Sequence, residues 1–247
     1  MPRFFTDSIA AVGETFPLLG DDARHIALAL RMHTGDEIAV SDGAGNTAVC
    51  SLEEIAPTAV LCHVLSVSPS ESELPVTVRL YQGCPKGDKL ELIVQKATEL
   101  GVHAIIPFVS RRCVSRPKAE KHDRMTERLA RIAREAAGQS GRGLIPEVLP
   151  PMSFSAALAD AVATSERILF CYEEEKTLSL RCVLEEAKAA GVRSLAVFVG
   201  SEGGFAPEEA EEAARAGARS VSLGRRILRA ETAPLFALAA VGYAFEM

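Results

Sequence analysis

The sequence predicts an α/β protein in two parts, a small antiparallel β-barrel followed by a mainly parallel sheet flanked by helices. Three observations carry that expectation. Short strand-like runs separated by turn clusters fill residues 1–65, a spacing that suits a small barrel. A stretch rich in Ser, Pro and Glu, Ser66 to Pro75, then reads as a linker. Beyond it strands and helices alternate, as in a parallel sheet covered on both faces. The expected domains are residues 1–72 and 73–247.

In the first part, Asp36 to Val40 leads through the turn cluster Ser41 to Asn46 into Thr47 to Leu52, and Ala59 to Val67 follows. A helical run, Asp21 to Met32, opens on an acidic cap and carries Ile26, Ala27 and Leu30 on one side. In the second part, Val76 to Tyr81 is a strand. Asp88-Lys89-Leu90-Glu91 has the pattern of a capping box. The helix it opens places Leu90, Ile93, Val94 and Ala97 on one face and ends at Gly101. Ala104 to Val109 is the next strand. A basic helix runs from about Ala119 to Ala137, with Met125, Leu129, Ile132, Ala133 and Ala136 as its apolar stripe and a glycine cap in Gly138 to Arg142.

Ile168 to Tyr172 and Leu195 to Val199 are short buried strands. Pro207-Glu208-Glu209 starts a helix, with proline at the first position and acids at the positive end. Finally, a β-like run from Ala218 to Leu223 precedes an uncharged helix, Ala233 to Phe245, which Thr232 is placed to cap. That helix is too apolar to face water, so core or a partner must cover it.

A chain of 247 residues, 48% hydrophobic, has ample core for a globular protein. The uncharged run Ala233 to Phe245 near the C-terminus, 13 residues, is too short to span a bilayer, and nothing at the start reads as a secretory leader. A cytoplasmic protein without membrane contact is expected. The six cysteines are scattered, which fits neither a disulfide framework nor a zinc site, so no metal is expected. The five histidines form no close pair and read as structural or exposed.

The net charge of −6 hides a strong asymmetry. Arg111 to Arg142 holds 10 basic and 4 acidic residues. A basic stripe on an acidic protein attracts phosphate locally, although i,i+4 pairs such as Glu127 with Arg131 also make an ordinary solvated helix face.

Two glycine-bearing charged loops follow strands, where α/β sheets place ligands. In Gly200-Ser201-Glu202-Gly203-Gly204-Phe205, glycines let backbone amides approach a ligand closely. Glu202 argues against a diphosphate there and for a cationic or hydroxyl-bearing ligand. The second loop, Leu223 to Ala233, clusters Arg225, Arg226 and Arg229 with Glu231 as the only local acid. Arginine suits phosphate and planar polar groups; the alternative is pairing with the acidic helix at Glu208 to Glu212. Gln139 and Arg142 stand beside the basic stripe, placed for base or phosphate contact.

On these residues the chain resembles the bacterial 16S rRNA (uracil-N3)-methyltransferase family of the SPOUT superfamily. The resemblance runs nearly full length. It takes in Met1-Pro2-Arg3-Phe4-Phe5, Lys86-Gly87-Asp88-Lys89, Gln95 to Gly101, Gln139-Ser140-Gly141-Arg142 and, most specifically, the loops at Gly200 and Leu223. Three positions depart from the family pattern, which usually has proline at Ser201, threonine at Ala230 and tryptophan at Met125.

The resemblance implies a PUA-like β-barrel and a trefoil-knotted α/β domain that binds S-adenosylmethionine and forms a homodimer. Topology rules alone lead instead to an open doubly wound sheet. It also implies methylation of a uridine at ring N3 in 16S rRNA. Tyr172, Val199, Gly200, Ser201, Glu202, Gly203, Leu223, Gly224, Ile227, Leu228 and Thr232 would hold the cofactor. Arg229 or Arg226, with Arg3 from the first domain and Glu202 assisting, would act at the reacting base. Arg3, Lys86, Lys89, Arg111, Arg112, Arg116, Gln139 and Arg142 would contact RNA. The rival expectation is an rRNA-binding protein without catalysis that uses the knotted domain to dimerise. A nucleotide-dependent oxidoreductase lacks its glycine fingerprint here.

Overall fold

The computed structural model describes all 247 residues, in two compact units. One comprises Met1–Glu73 with Ala137–Ile145, the other Leu74–Ala136 with Pro146–Met247. Residues 137–145, expected in the second domain, therefore belong to the first.

The first unit holds β1 (Arg3–Phe5), β2 (Thr15–Leu19), β3 (Glu37–Ser41), β4 (Asn46–Ala56) and β5 (Ala59–Pro69) in the spatial order β1-β3-β4-β5-β2. All neighbours are antiparallel except β1 on β3. The expected barrel is thus a curled sheet with one parallel pair and two register shifts along the β4–β5 hairpin. β5 runs through Pro69, so the first four residues of the expected linker are strand. Strand β2 was hidden by Pro17, which is tolerated because β2 is an edge that pairs only with β5. Helix α1 (Gly20–Arg24) widens into a π-type turn, His25–Ala29. Ile26 is buried as expected, but Leu30 faces out, and Asp21 and Asp22 sit in the first turn while Leu19 holds the cap position.

Phe4, Leu18, Ile26, Ile38, Leu52 and Val60 fill the core of this unit. Its last segment closes on Gly141, whose φ of +75° suits glycine. There Arg142 N–H donates to the Ala137 carbonyl at 2.9 Å and Gly141 N–H to Gly138 at 3.3 Å, a Schellman closure. The cap glycine is Gly141.

The second unit contains β6 (Thr77–Gly83), β7 (Ala104–Val109), β8 (Glu147–Val148), β9 (Met152–Ser153), β10 (Arg167–Cys171), β11 (Ser194–Val199) and β12 (Arg219–Val221). The spatial order is β12-β10-β11-β6-β7-β8, with β9 also on β7, and every pairing is parallel. One face is covered by α2 (Lys89–Glu99), α3 (His122–Gln139), α5 (Leu180–Ala189) and α7 (Thr232–Glu246). The other is covered by α4 (Phe154–Thr164) and α6 (Pro207–Arg215), over a cluster of Phe108, Phe154, Phe170, Phe198 and Phe205. Helices on both faces are what the alternating pattern implied. After edge strand β12 the chain returns inward, and α7 packs on β11, α2 and α5.

Two expected caps are absent. Asp88 sits at φ −92°, ψ 3°, outside the extended conformation of a capping residue, and makes no side-chain cap, while Glu91 pairs with Arg128. Thr232 is the first helical residue of α7 and does not cap it; the turn is set by Thr232 and Ala233 N–H donating to the Arg229 carbonyl, both at 2.9 Å. Pro207 opens α6 as expected. No helix is long and apolar enough to cross a membrane.

Candidate functional site

The C-terminal ends of β10, β11 and β12 open onto a cavity of about 440 Å³, a size typical of small-molecule sites. Ten of the eleven expected cofactor residues line it: Tyr172, Val199, Gly200, Ser201, Glu202, Gly203, Leu223, Gly224, Ile227 and Leu228. Thr232 does not; Ala230 and Ala233 line it instead. Arg226 and Arg229 line it too, with Arg225, Cys171, Glu173, Lys176 and Lys89. The two loops singled out in the sequence thus form one wall-to-wall site.

Close backbone approach builds its floor. A Cβ on Gly83, at the end of β6, would lie 2.6 Å from the Ser201 backbone nitrogen, so only glycine lets these strands end side by side. Gln82, fully buried, donates to the Gly83 and Gly200 carbonyls at 3.0 and 3.2 Å. Ser201 is buried, and its hydroxyl has no protein partner although the residue lines the cavity. A buried hydroxyl without a partner is costly, and a polar ligand would satisfy it.

Lys89 is the residue whose role the sequence missed. Its ammonium lies 3.0 Å from Glu202 and 3.1 Å from Glu231, so one cation ties the two loops together. The paired carboxylates raise the Lys89 pKa. Burial pushes the Glu202 carboxyl up, but the Lys89 bond and backbone donors, including Lys86 N–H, outweigh it and the pKa is lowered. Glu231 is also lowered, by a backbone bond and then by Lys89. Both acids are fixed anions at neutral pH. Burial pushes the Cys171 thiol up to about 12, and Tyr172 is raised by burial and by Glu173, so both stay neutral.

The arginines divide sharply. Arg225, Arg226 and Arg229 are exposed and form no ion pair. The acidic helix is engaged elsewhere: Glu208 with Arg111 at 3.4 Å, Glu212 with Ser155, and buried Glu209 with the backbone N–H of Arg111 and Ala206. Ile227 is 95% exposed, an apolar side chain that a ligand or partner would cover.

The expected RNA contacts fare less uniformly. Arg142 is 2% exposed, and Glu73 accepts from its Nε at 3.0 Å while also accepting from Gly143 and Leu144 N–H. It is a structural staple of the first unit and is removed from the RNA contacts. Arg116 donates to the carbonyls of Ser110, Arg111 and Cys113, holding its own loop. Arg112 donates to the Gly203 carbonyl at 3.3 Å and faces Glu173. Lys89 is committed to the cavity. Lys86, Arg111 and Gln139 are exposed. Arg3 donates to Ser41 and Thr47 hydroxyls at 2.6 and 2.8 Å, within its own unit; burial lowers its pKa while Glu73 opposes that.

Comparison with known proteins places this geometry. Residues 72–242 match a family described as "RNA methyltransferase domain", and residues 18–65 one described as "RNA methyltransferase PUA domain". The Ribosomal RNA small subunit methyltransferase E of Bacillus subtilis is 38% identical over 253 residues, covering 100% of this chain and 98% of that protein. Its namesake in Mycobacterium bovis is 33% identical, covering 97% and 90%. A crystal structure of the Neisseria gonorrhoeae protein of that name, bound to S-adenosyl methionine, aligns with a TM-score of 0.84 at 30% identity, covering 98% and 97%.

Proposed function

Because the chain belongs to the RNA methyltransferase family of the small-subunit ribosomal type, we propose that it methylates a uridine of 16S rRNA at ring N3. It is an S-adenosylmethionine-dependent rRNA methyltransferase, with a PUA-like N-terminal sheet and a SPOUT-type parallel sheet. The observation that carries the finer reading is the single cavity in which unpaired arginines face the glycine loop.

The cavity's residues fit the cofactor. Ser201 supplies an unpartnered buried hydroxyl, Glu202 a fixed negative charge, and Leu223, Ile227 and Leu228 an apolar wall. The cofactor, when bound, supplies a methyl group activated on a positively charged sulfur. Methyl transfer then needs the acceptor aligned and its proton removed. Uracil N3 is an imide nitrogen whose anion spreads charge onto two carbonyl oxygens. Arg226 and Arg229 are the cations placed to stabilise that charge, an electrostatic contribution of the oxyanion type. Glu202 and Glu231, whose pKa values are lowered by hydrogen bonds from the backbone and from Lys89, serve as fixed negative charges at the site.

RNA contact falls to exposed Lys86, to Gln139, and to the donors that Arg111, Arg112 and Arg3 have left over from Glu208, from Gly203 and Glu173, and from the Ser41 and Thr47 hydroxyls. The chain's return from β12 to α7 is the segment we assign to a knotted path. The outer face of α7 supports a homodimer: Phe236, Tyr243 and Met247 are exposed beside Leu180 and Leu184 in an apolar groove.

Mass mapping of small-subunit rRNA after incubation with protein and cofactor tests the reading. A new methyl group on a uridine base supports it; no transfer, with cofactor binding intact by calorimetry, overturns it. Sedimentation tests the dimer separately.

A further inference from the structure

A second cavity of about 790 Å³ lies on the other side of the Lys86–Lys89 turn. Where Lys89 turns toward the site already described, Gly87, Leu90 and Glu91 turn toward this one. Its floor is apolar: Pro85, Leu90, Met125 and Leu129. Its rim is the 3-10 turn Ala119–Lys121 and the start of α3, which offer Lys121, Arg124, Arg128 and Arg131 against Glu127 and, from α2, Glu91. The buried Cys84 thiol at its base is pushed up to about 12 by burial and by neighbouring Cys113, so no reactive thiolate is present.

The cations on this rim are not equivalent. Arg128 is paired with Glu91, and Arg131 faces Glu135 at 3.9 Å. Lys121 and Arg124 are exposed and no carboxylate lies within ion-pair distance of either. An apolar floor, one guanidinium paired with a glutamate and two uncommitted cations make a chemically mixed pocket. A small apolar ligand would use the floor and leave the charges idle. A free anion would use the charges and leave the floor wet.

A nucleotide uses both. Unstacked bases lie on apolar or guanidinium surfaces while phosphates meet lysine and arginine. An enzyme that brings a base into a cavity first draws it out of its stack, which also exposes the nucleotides beside it. The geometry points to this cavity as a subsite for one unstacked nucleotide flanking the methylated one, with its base over Met125 and Arg128 and its phosphate at Lys121 and Arg124. This rests on the rRNA methyltransferase reading and adds a second place where the RNA strand is gripped.

The test is steady-state methylation of small-subunit rRNA by the full-length double variant Lys121→Glu/Arg124→Glu, alongside Glu127→Lys. The double variant raises the KM for RNA about tenfold or more, and the dependence of log Kd on log salt becomes shallower by roughly 0.7, the value for one single-strand phosphate contact. Glu127→Lys, which adds a cation to the same rim, lowers the KM. Cofactor affinity by calorimetry stays at the wild-type value in both. A wild-type KM and salt slope in the double variant, with methyl transfer intact, overturns the subsite. Absence of methyl transfer by the wild-type protein instead overturns the reading on which it rests.

Discussion

The loop Leu223–Ala233 and the stripe Arg111–Arg142 are both rich in arginine, yet the loop's arginines are free while most of the stripe's are committed, Arg124 being an exception. In the loop, Arg225, Arg226 and Arg229 carry no ion pair and border a cavity. In the stripe, Arg142 is buried on Glu73, Arg116 binds three carbonyls of its own segment, and Arg128 and Arg131 meet glutamates. Charge density therefore does not reveal which cations are available to a ligand. Availability follows from whether a carboxylate or carbonyl has been brought within reach, and that is decided by tertiary contacts.

The largest effect should come from the committed side of this contrast. Arg142→Ala leaves the Glu73 carboxylate half-satisfied in a buried setting, and breaking such a pair costs about 3–5 kcal/mol. Denaturant unfolding should show that loss, whereas a nearly unchanged midpoint would mean water satisfies Glu73 and the staple is dispensable. On the free side, Arg229→Ala should leave stability almost unchanged and reduce kcat about 10²–10³-fold, the usual consequence of removing one oxyanion donor. Calorimetry should find cofactor affinity within a few fold of wild type. A variant that loses cofactor binding as well would move Arg229 from the reacting base to the cofactor wall.

Much of this contrast was hidden from the sequence for a definite reason. Residues 73 and 142 are 69 apart, and no local period or motif announces that they meet. Lys89 is an RNA contact on the family resemblance alone, because nothing near it in sequence announces an acidic partner; Glu202 and Glu231 reach it only through the sheet order. Signals decided within a few residues were readable: strand β7, the glycine loop after β11, and proline at the start of α6. Helices α4 and α5 carry local signals too, the caps Ser153 and Ser179 that accept from Ala156 and Cys182 N–H. Gly141 as the cap glycine required the hydrogen-bond geometry itself.

Smaller effects sharpen the comparison further. Lys89→Met should let Glu202 and Glu231 repel, raise both carboxyl pKa values and weaken cofactor binding roughly two- to fivefold; unchanged affinity would show that the loops hold their positions without the tie. Both glutamates have folded pKa values lowered from the ordinary carboxylate value. The stability they contribute is fully present above that value and is lost as pH falls through the lowered folded values. NMR titration of the two carboxyls checks this, and an ordinary or raised value for either would remove the tie as its cause. Arg131→Ala should be nearly silent, about 0–0.5 kcal/mol, because both it and Glu135 are largely exposed.

The most direct measurement is a mass map of methyl groups in unmethylated small ribosomal subunits incubated with S-adenosylmethionine and either the wild-type protein or Arg229→Ala. A single uridine carrying a new methyl at ring N3 in the wild-type reaction, and almost none with Arg229→Ala, is the predicted result. Equal methylation by the two proteins would contradict the assignment of the free arginines to the reacting base.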